Sequence, residues 1–148
     1  MPNPSQMQEL DFKTVSLKGH NLIEASAGTG KTFAIAALYL RLILEKALSV
    51  DQILVVTFTV AATEELKERI RNRLNQALEG FSDKLKDDPD PFLSWILENF
   101  EAQKARSLLQ NAVRNFDRCA IFTIHGFCQR RLVENAFAGS SLFETELL

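Results

Sequence analysis

In this 148-residue chain the segment at 25–32 reads Ala-Ser-Ala-Gly-Thr-Gly-Lys-Thr, and it limits the possible folds more than any other segment. A short apolar run at 21–25 precedes it, and a long apolar stretch without Gly or Pro follows it at 31–46. The glycines allow a tight turn with inward-facing backbone N–H groups, and a helix beginning near Lys31 adds its positive end. This order of strand, turn and helix is typical of a phosphate-binding loop, here with Ala25 in place of the usual first glycine.

Several residues of this segment have a defined role in such a loop. Lys31 is expected to contact the β- and γ-phosphates of a nucleotide, and the Thr32 hydroxyl to bind Mg²⁺. We therefore expect ATP and Mg as cofactors, with Lys31 and Thr32 as the catalytic residues. The residues expected to bind the nucleotide are Ala25, Ser26, Ala27, Gly28, Thr29, Gly30, Lys31, Thr32 and Phe33. The alternative is a glycine-rich turn with an incidental lysine, and the motif alone names no substrate.

The chain alternates between two kinds of apolar pattern. Short apolar or β-branched runs predict three buried strands, the second of them fully buried, at 21–25, 53–59 and 119–124. Apolar residues with helical spacing predict helices at 31–46, 60–78 and 125–137. Alternating strands and helices indicate an α/β domain in which a parallel sheet is flanked by helices and ligands bind at the strand C-terminal ends.

Two segments fall outside this alternation. Residues 1–20 are polar and contain proline, which predicts a loosely ordered lead-in. The connection at 80–91 is also polar, and Asp90 is expected to cap a new helix that Pro91 begins. A helical pattern then continues to about Asp117.

Composition limits the class of protein. Apolar residues make up 46% of the chain, enough for one domain with a core, and no apolar run is long enough to cross a bilayer. Since the N-terminus also lacks the features of a signal peptide, we expect a cytoplasmic protein without membrane contact. The formal charge of -2 argues against a basic surface over the whole molecule. Two cysteines, Cys119 and Cys128, indicate neither a disulfide framework nor a four-ligand zinc site.

Two later segments carry a resemblance to a known family. The second predicted strand ends in Thr57-Phe58-Thr59 and is followed, after Val60, by Ala-Ala-Thr-Glu-Glu-Leu at 61–66, and the third leads into Phe-Thr-Ile-His-Gly-Phe at 122–127. In this order, after the segment at 25–32, they resemble motifs Ia and Ib of UvrD/Rep-type superfamily 1 helicases. The resemblance is stronger to the beta chains of exodeoxyribonuclease V than to UvrD or Rep, and the stretch at 80–116 contributes little to it. Val60 departs from the pattern, which often has a polar residue there.

The resemblance implies a function and a domain organisation. It implies an ATP-dependent DNA helicase and exonuclease subunit of recombinational double-strand break repair, which binds single- and double-stranded DNA and works with RecC-like and RecD-like subunits. Its fold would be a RecA-like P-loop NTPase. Residues 21–148 would form the N-terminal part of motor domain 1A, with a helical insertion at about 80–117. Because no acidic metal-and-water motif, second motor domain or nuclease domain is present, we expect a fragment that hydrolyses almost no ATP alone.

The same resemblance assigns the DNA contacts. Hydroxyls and free amides at strand ends suit the DNA backbone, and an aromatic ring suits base stacking. The expected DNA-binding residues are Thr57, Phe58, Thr59, Thr123, His125, Gly126 and Phe127.

Other interpretations stay open at this point. Phe58 could belong to the core, His125 could be structural, and a His125/Cys128 metal pair has no obvious third ligand. The charges at 64–73 fit a salt-bridged solvent face as well as a DNA patch, and Arg130-Arg131 is equally undecided. Two other functions are an unrelated phosphate-loop kinase or ATPase, and a non-catalytic interaction module.

Overall fold

The computed structural model describes residues 9–25 and 30–138. Its first helix, α1, spans Lys31–Lys46, as the absence of Gly and Pro predicts. Along this helix Tyr39, Leu40 and Ile43 are at most 1% exposed. The Tyr39 hydroxyl donates a hydrogen bond to the Val50 carbonyl at 3.3 Å, so the one polar atom of that buried ring is satisfied. Burial raises the pKa of Tyr39 far above its ordinary value.

The sheet of the described residues has two parallel strands. Strand β1 spans Leu54–Thr57 and strand β2 spans Ala120–Thr123, with Val55 paired to Ile121 and Thr57 to Thr123. The predicted parallel arrangement is confirmed. The prediction that the first of these strands is fully buried is wrong, because Leu54 and Val56 are 50% and 44% exposed on the face that no described element covers.

The apolar run at 21–25 differs from its prediction. It forms no strand, and Leu22 is 74% exposed. A strand requires a neighbouring backbone edge for its hydrogen bonds, and a run of a few apolar residues does not supply one. Strands β1 and β2 pair with each other instead.

Four further α-helices complete the architecture of the described residues. Helix α2 spans Val60–Gly80, α3 spans Pro91–Asn99, α4 spans Ala102–Arg114 and α5 spans Ile124–Ala138. Helices α1, α2 and α4 pack against one another and enclose Ile70, Leu74 and Leu109, each 0% exposed. Helix α5 follows β2 without a loop, so the motif residues at 124–127 lie on its first turn.

Residues 11–15 of the predicted lead-in form a turn that contacts this core. The Thr14 and Val15 amides donate to the Asp11 carbonyl at 3.2 and 3.0 Å. The Phe12 ring lies 5.4 Å from that of Phe33 and 6.4 Å from that of Phe92, centroid to centroid, in edge-to-face contacts. Aromatic pairs in this arrangement attract one another beyond simple burial.

The predicted cap of α3 is confirmed and has an additional partner. The Asp90 carboxylate accepts hydrogen bonds from the Phe92 and Leu93 amides at 3.0 and 2.9 Å, and Pro91 is the first helical residue. The same carboxylate forms an ion pair with Arg73 of α2, whose side chain is only 9% exposed. Burial opposes ionisation of Asp90, but the bonds from Arg73 and the α3 amides outweigh it and lower its pKa.

Replacement of Asp90 by alanine is therefore expected to destabilise the chain by about 2 kcal/mol, since the cap and the partner of Arg73 are both lost. Asp90→Asn keeps an acceptor for the cap and should cost less. Urea unfolding measures both, with Asp87→Ala in the preceding connection as the control. Because folding lowers the pKa of Asp90, its contribution is present above the ordinary value of 3.8 and is lost as pH falls through the folded pKa. A stability of Asp90→Ala equal to that of Asp87→Ala at pH 7 would contradict this role.

Candidate functional site

The N-terminal end of α1 has backbone amides that no described side chain caps. Gly30 precedes the helix with φ of 84°, in the left-handed region where a side chain costs about 1 kcal/mol or more. The first helical bond runs from the Ala34 amide to the Gly30 carbonyl at 2.9 Å. The amides of 31–33 therefore have no acceptor within the helix, none of the described side chains caps them, and the first turn has no acidic residue. This arrangement favours an anion at this end.

The other four helices begin differently. Side-chain oxygens accept from first-turn amides at the start of each, and these come from Thr59, Asp90, Glu101 and Thr123. Glu101, for example, accepts from the Gln103 and Lys104 amides, both at 2.7 Å. These bonds lower the pKa of Glu101, so its carboxylate remains charged as a cap. Among the five described α-helices, α1 alone begins without an acceptor from the side chains that the structure describes.

The residues predicted to bind the nucleotide fall into three groups. Lys31 is exposed and Thr32 is half-buried at the open end of α1, while Ala25 is half-buried before it. The four loop positions at 26–29 lie outside the described residues. The Phe33 ring packs inward, with the Arg73 guanidinium carbon 4.7 Å from its centroid, so a ligand would meet the backbone amide of Phe33 rather than its ring.

The ends of β1 and β2 meet, as their parallel register requires. Thr57 is paired with Thr123, and helices α2 and α5 begin just beyond them. We call the exposed positions at these ends, Phe58, Thr59 and His125, together with Thr57 and Thr123, the strand-end surface. The structure thus brings together predicted residues that lie 66 positions apart in sequence, from Thr57 to Thr123.

The threonine hydroxyls of this surface are not equivalent. The Thr57 and Thr63 hydroxyls lie 2.6 Å apart, and both lie within hydrogen-bond distance of the Thr59 carbonyl, at 3.1 and 3.0 Å. Two protons serve these three contacts, so both are engaged inside the fold whichever hydroxyl donates to the other. Thr59 and Thr123 accept from the Ala62 and Gly126 amides, which leaves their own O–H protons able to donate outward. Thr63 was not among the predicted residues.

Phe58 is 91% exposed, which excludes the interpretation of Phe58 as a core residue. Val60 beside it is 71% exposed at the first position of α2. An aromatic ring at this exposure contributes little to folding. It is instead available as a surface on which a planar group stacks.

The motif at the start of α5 has one exposed and two packed members. His125 is exposed. Gly126 lies so close to Thr123 that an added Cβ would be 3.0 Å from the threonine hydroxyl oxygen, which explains the glycine. The Phe127 ring stacks on the Phe122 ring, with 6.5 Å between the ring centroids. The guanidinium carbon of Arg130 lies 5.3 Å from the centroid of the Phe122 ring.

Most of the charged residues that fit either a solvent face or a DNA patch form ion pairs. On α2, Lys67 pairs with Glu64 at 3.0 Å and Arg69 with Glu65 at 3.5 Å, which favours a solvated, salt-bridged face. Arg130 and Arg131 both contact Glu134 on α5, at 3.0 and 3.1 Å.

Within residues 9–25 and 30–138, no group of three His, Cys, Asp or Glu side chains could hold a metal ion. No helix in those ranges has the length and apolar character needed to span a membrane.

The fold and the site together define a class, an α/β domain of the P-loop type in which helices flank a parallel sheet. The family follows from comparison with known proteins: the chain belongs to the UvrD/REP helicase N-terminal domain family, which matches residues 3–145. Membership in a helicase family implies use of a nucleotide.

Within the aligned stretch, nearly half of the residues are identical between this chain and individual relatives. It is 47% identical to the RecBCD enzyme subunit RecB of Escherichia coli (strain K12) over 151 residues, which cover 95% of this chain and 12% of that protein. It is 44% identical to RecB of Haemophilus influenzae over 148 residues, covering 91% of this chain and 12% of the relative. For RecB of Buchnera aphidicola subsp. Schizaphis graminum the identity is 46% over 138 residues, with 86% and 12% covered. The chain thus spans about an eighth of these relatives.

Proposed function

We propose that this chain is the ATP-binding part of a longer ATP-dependent DNA helicase and exonuclease subunit that acts in recombinational double-strand break repair. The observation that carries the proposal is the N-terminal end of α1 behind Gly30, where no described side chain caps the first amides and Lys31 and Thr32 lie on the first turn. Free amides, a lysine and a hydroxyl fit a triphosphate with Mg²⁺. In this role Lys31 holds the β- and γ-phosphates and Thr32 provides a hydroxyl ligand for Mg²⁺, which neutralises charge on the transferred phosphoryl group.

The strand-end surface supports single-stranded DNA as the second ligand. Thr59 and Thr123 retain hydroxyl protons for phosphate oxygens, and the exposed Phe58 ring offers a stacking face that accepts any base. His125 lies exposed at the start of α5, where a phosphate contact is available. Since the related proteins are subunits of an enzyme named RecBCD, we also propose RecC-like and RecD-like partners, double-stranded DNA as substrate, and a cytoplasmic location.

The test of this function is ATP hydrolysis by the complete polypeptide, assembled with its partner subunits, with and without single-stranded DNA. Stimulation of hydrolysis by DNA supports the motor. Turnover that depends on a nucleoside acceptor and ignores DNA would instead identify a phosphate-loop kinase. Partner binding without any nucleotide binding would identify an interaction module.

Phe58→Ala is expected to weaken single-stranded DNA binding about 5- to 150-fold, because stacking of one base is worth roughly 1–3 kcal/mol. Fluorescence anisotropy with a labelled oligonucleotide measures this change. Phe58→Trp retains a stacking face and should bind like the parent. The melting temperature of Phe58→Ala should equal that of the parent, since the ring is 91% exposed. Unchanged DNA affinity in Phe58→Ala would remove Phe58 from the site.

A further inference from the structure

Phe58, the proposed stacking residue, is not held by packing of its own side chain. Its ring is 91% exposed at the junction between β1, which ends at Thr57, and α2, which begins at Val60. A ring at this exposure has little contact with neighbouring side chains. The direction in which the ring projects therefore depends on the backbone of the junction at 57–59.

Hydrogen bonds hold that backbone on both sides of Phe58. The Thr59 hydroxyl accepts from the Ala62 amide, and the Thr59 carbonyl accepts from the Thr63 amide, both at 3.1 Å. The Thr57 hydroxyl lies 3.1 Å from the same carbonyl oxygen, so the last residue of β1 is tied to the residue that caps α2. The neighbours of Phe58, rather than its ring, make these bonds.

Thr63 joins this network from inside the fold, one turn into α2. Its hydroxyl lies 2.6 Å from that of Thr57 and 3.0 Å from the Thr59 carbonyl oxygen. A separation of 2.6 Å between two oxygens requires a hydrogen bond, and a methyl group cannot approach an oxygen that closely. Since Thr63 is only 5% exposed, its side chain does not face a ligand on the surface. Any effect of Thr63 on a surface ligand is therefore indirect.

We propose that Thr63 is a positioning residue for Phe58. By binding the Thr57 hydroxyl and the Thr59 carbonyl together, its hydroxyl fixes the two residues that flank Phe58 and so directs the ring. A ring that is already oriented loses less conformational entropy when a base stacks on it. The inference rests on the proposed binding of single-stranded DNA and names a residue that does not touch the DNA.

The test compares Thr63→Val with Thr63→Ser in the complete polypeptide with its partners. Thr63→Val keeps the shape but loses the hydroxyl. We expect its Kd for a labelled single-stranded oligonucleotide, measured by fluorescence anisotropy, to rise about 2- to 10-fold, the range that corresponds to the loss of a hydrogen bond. Thr63→Ser keeps the hydroxyl and should restore parental binding. Thr63→Ala, which also lacks the hydroxyl, decides the question if Thr63→Val does not fold.

A double variant provides the measurement that a general loss of stability would not change. If Thr63 acts by orienting the Phe58 ring, Thr63→Val should not weaken binding further once Phe58→Ala has removed that ring, whereas independent effects multiply. A further loss of more than about twofold in the double variant would show that Thr63 acts elsewhere and would overturn the proposal. Binding by Thr63→Val within about twofold of the parent would overturn it as well.

Ser82→Ala is the matched control, because it removes a hydroxyl that donates to the Leu78 carbonyl at 2.8 Å near the other end of α2. It should bind DNA like the parent. Hydrogen exchange without DNA separates this inference from the proposed function, since Thr63→Val should speed exchange of the amides at 62 and 63. Unchanged exchange in Thr63→Val would overturn the positioning role alone. A parent that binds no single-stranded DNA would instead overturn the proposed function.

Discussion

Replacement of Lys31 by alanine is expected to lower DNA-stimulated ATP hydrolysis about 10²- to 10³-fold, the usual effect of removing one preorganised group that stabilises transition-state charge. Lys31 is exposed on the first turn of α1, and in the proposed role its ammonium group and the first-turn amides hold the same phosphate groups. The amides remain in the variant, so some nucleotide binding should survive while hydrolysis is lost. The measurement is the steady-state rate of phosphate release by the complete polypeptide at saturating single-stranded DNA.

The same helix supplies the control. Lys46 is exposed in the last turn of α1, so Lys46→Ala removes the same side chain far from the open end. It should hydrolyse ATP at the parental rate. Equal hydrolysis by Lys31→Ala and the parent would show that the segment at 25–32 is not a catalytic phosphate loop.

The largest effect on stability is expected from Leu74→Ala. Leu74 is 0% exposed in the core cluster of α1, α2 and α4. Truncation removes buried methyl groups and leaves a cavity, which costs about 2–5 kcal/mol. That is a large share of the total stability of a domain of this size. Urea unfolding should show a lower midpoint with an unchanged slope.

Leu132 of α5 provides a matched leucine that is 71% exposed. Leu132→Ala should change the free energy of unfolding by less than about 0.5 kcal/mol, the usual range for surface positions. Loss of stability in both variants to the same extent would mean that the α1, α2 and α4 interface is not the core.

Much of the fold could be predicted because its local signals are strong. The bounds of α1 follow from an apolar run without Gly or Pro, and the start of α3 follows from Asp90 and Pro91. The end of α2 at Gly80 lies within two residues of its prediction. In each case the cause lies within a few residues of the element itself.

The differences have causes that lie far away in sequence. The run at 21–25 has the composition of a strand, but whether it pairs depends on a neighbouring backbone edge. The sequence likewise does not show that the outer face of β1 is open, because burial depends on what covers Leu54 and Val56. In the sequence Arg41 is only a charge within an apolar helix, whereas in the structure its guanidinium donates to the carbonyls of Phe12 and Val15, which lie 29 and 26 positions away.

The candidate site likewise contains residues whose roles could be predicted from the sequence and residues whose roles could not. The roles of Lys31 and Thr32 come from a contiguous motif, whereas the hydroxyl of Thr57 is engaged by Thr63 through a contact that only the α2 geometry reveals. The exposure of Phe58 could not be derived either, since phenylalanine occurs in cores more often than on surfaces. The pairing of Thr57 with Thr123 could be expected once both strands were assigned to one parallel sheet.

The two-stranded sheet has a consequence for local motion. A ladder of four residue pairs with one face that no described element covers is a weak cooperative unit, whereas α1, α2 and α4 enclose Ile70, Leu74 and Leu109. Amide protons of β1 and β2 should therefore exchange with solvent through small local openings, while those of α2 are released only when the whole chain unfolds. The ends of the strands can then adjust their spacing without loss of the helical scaffold.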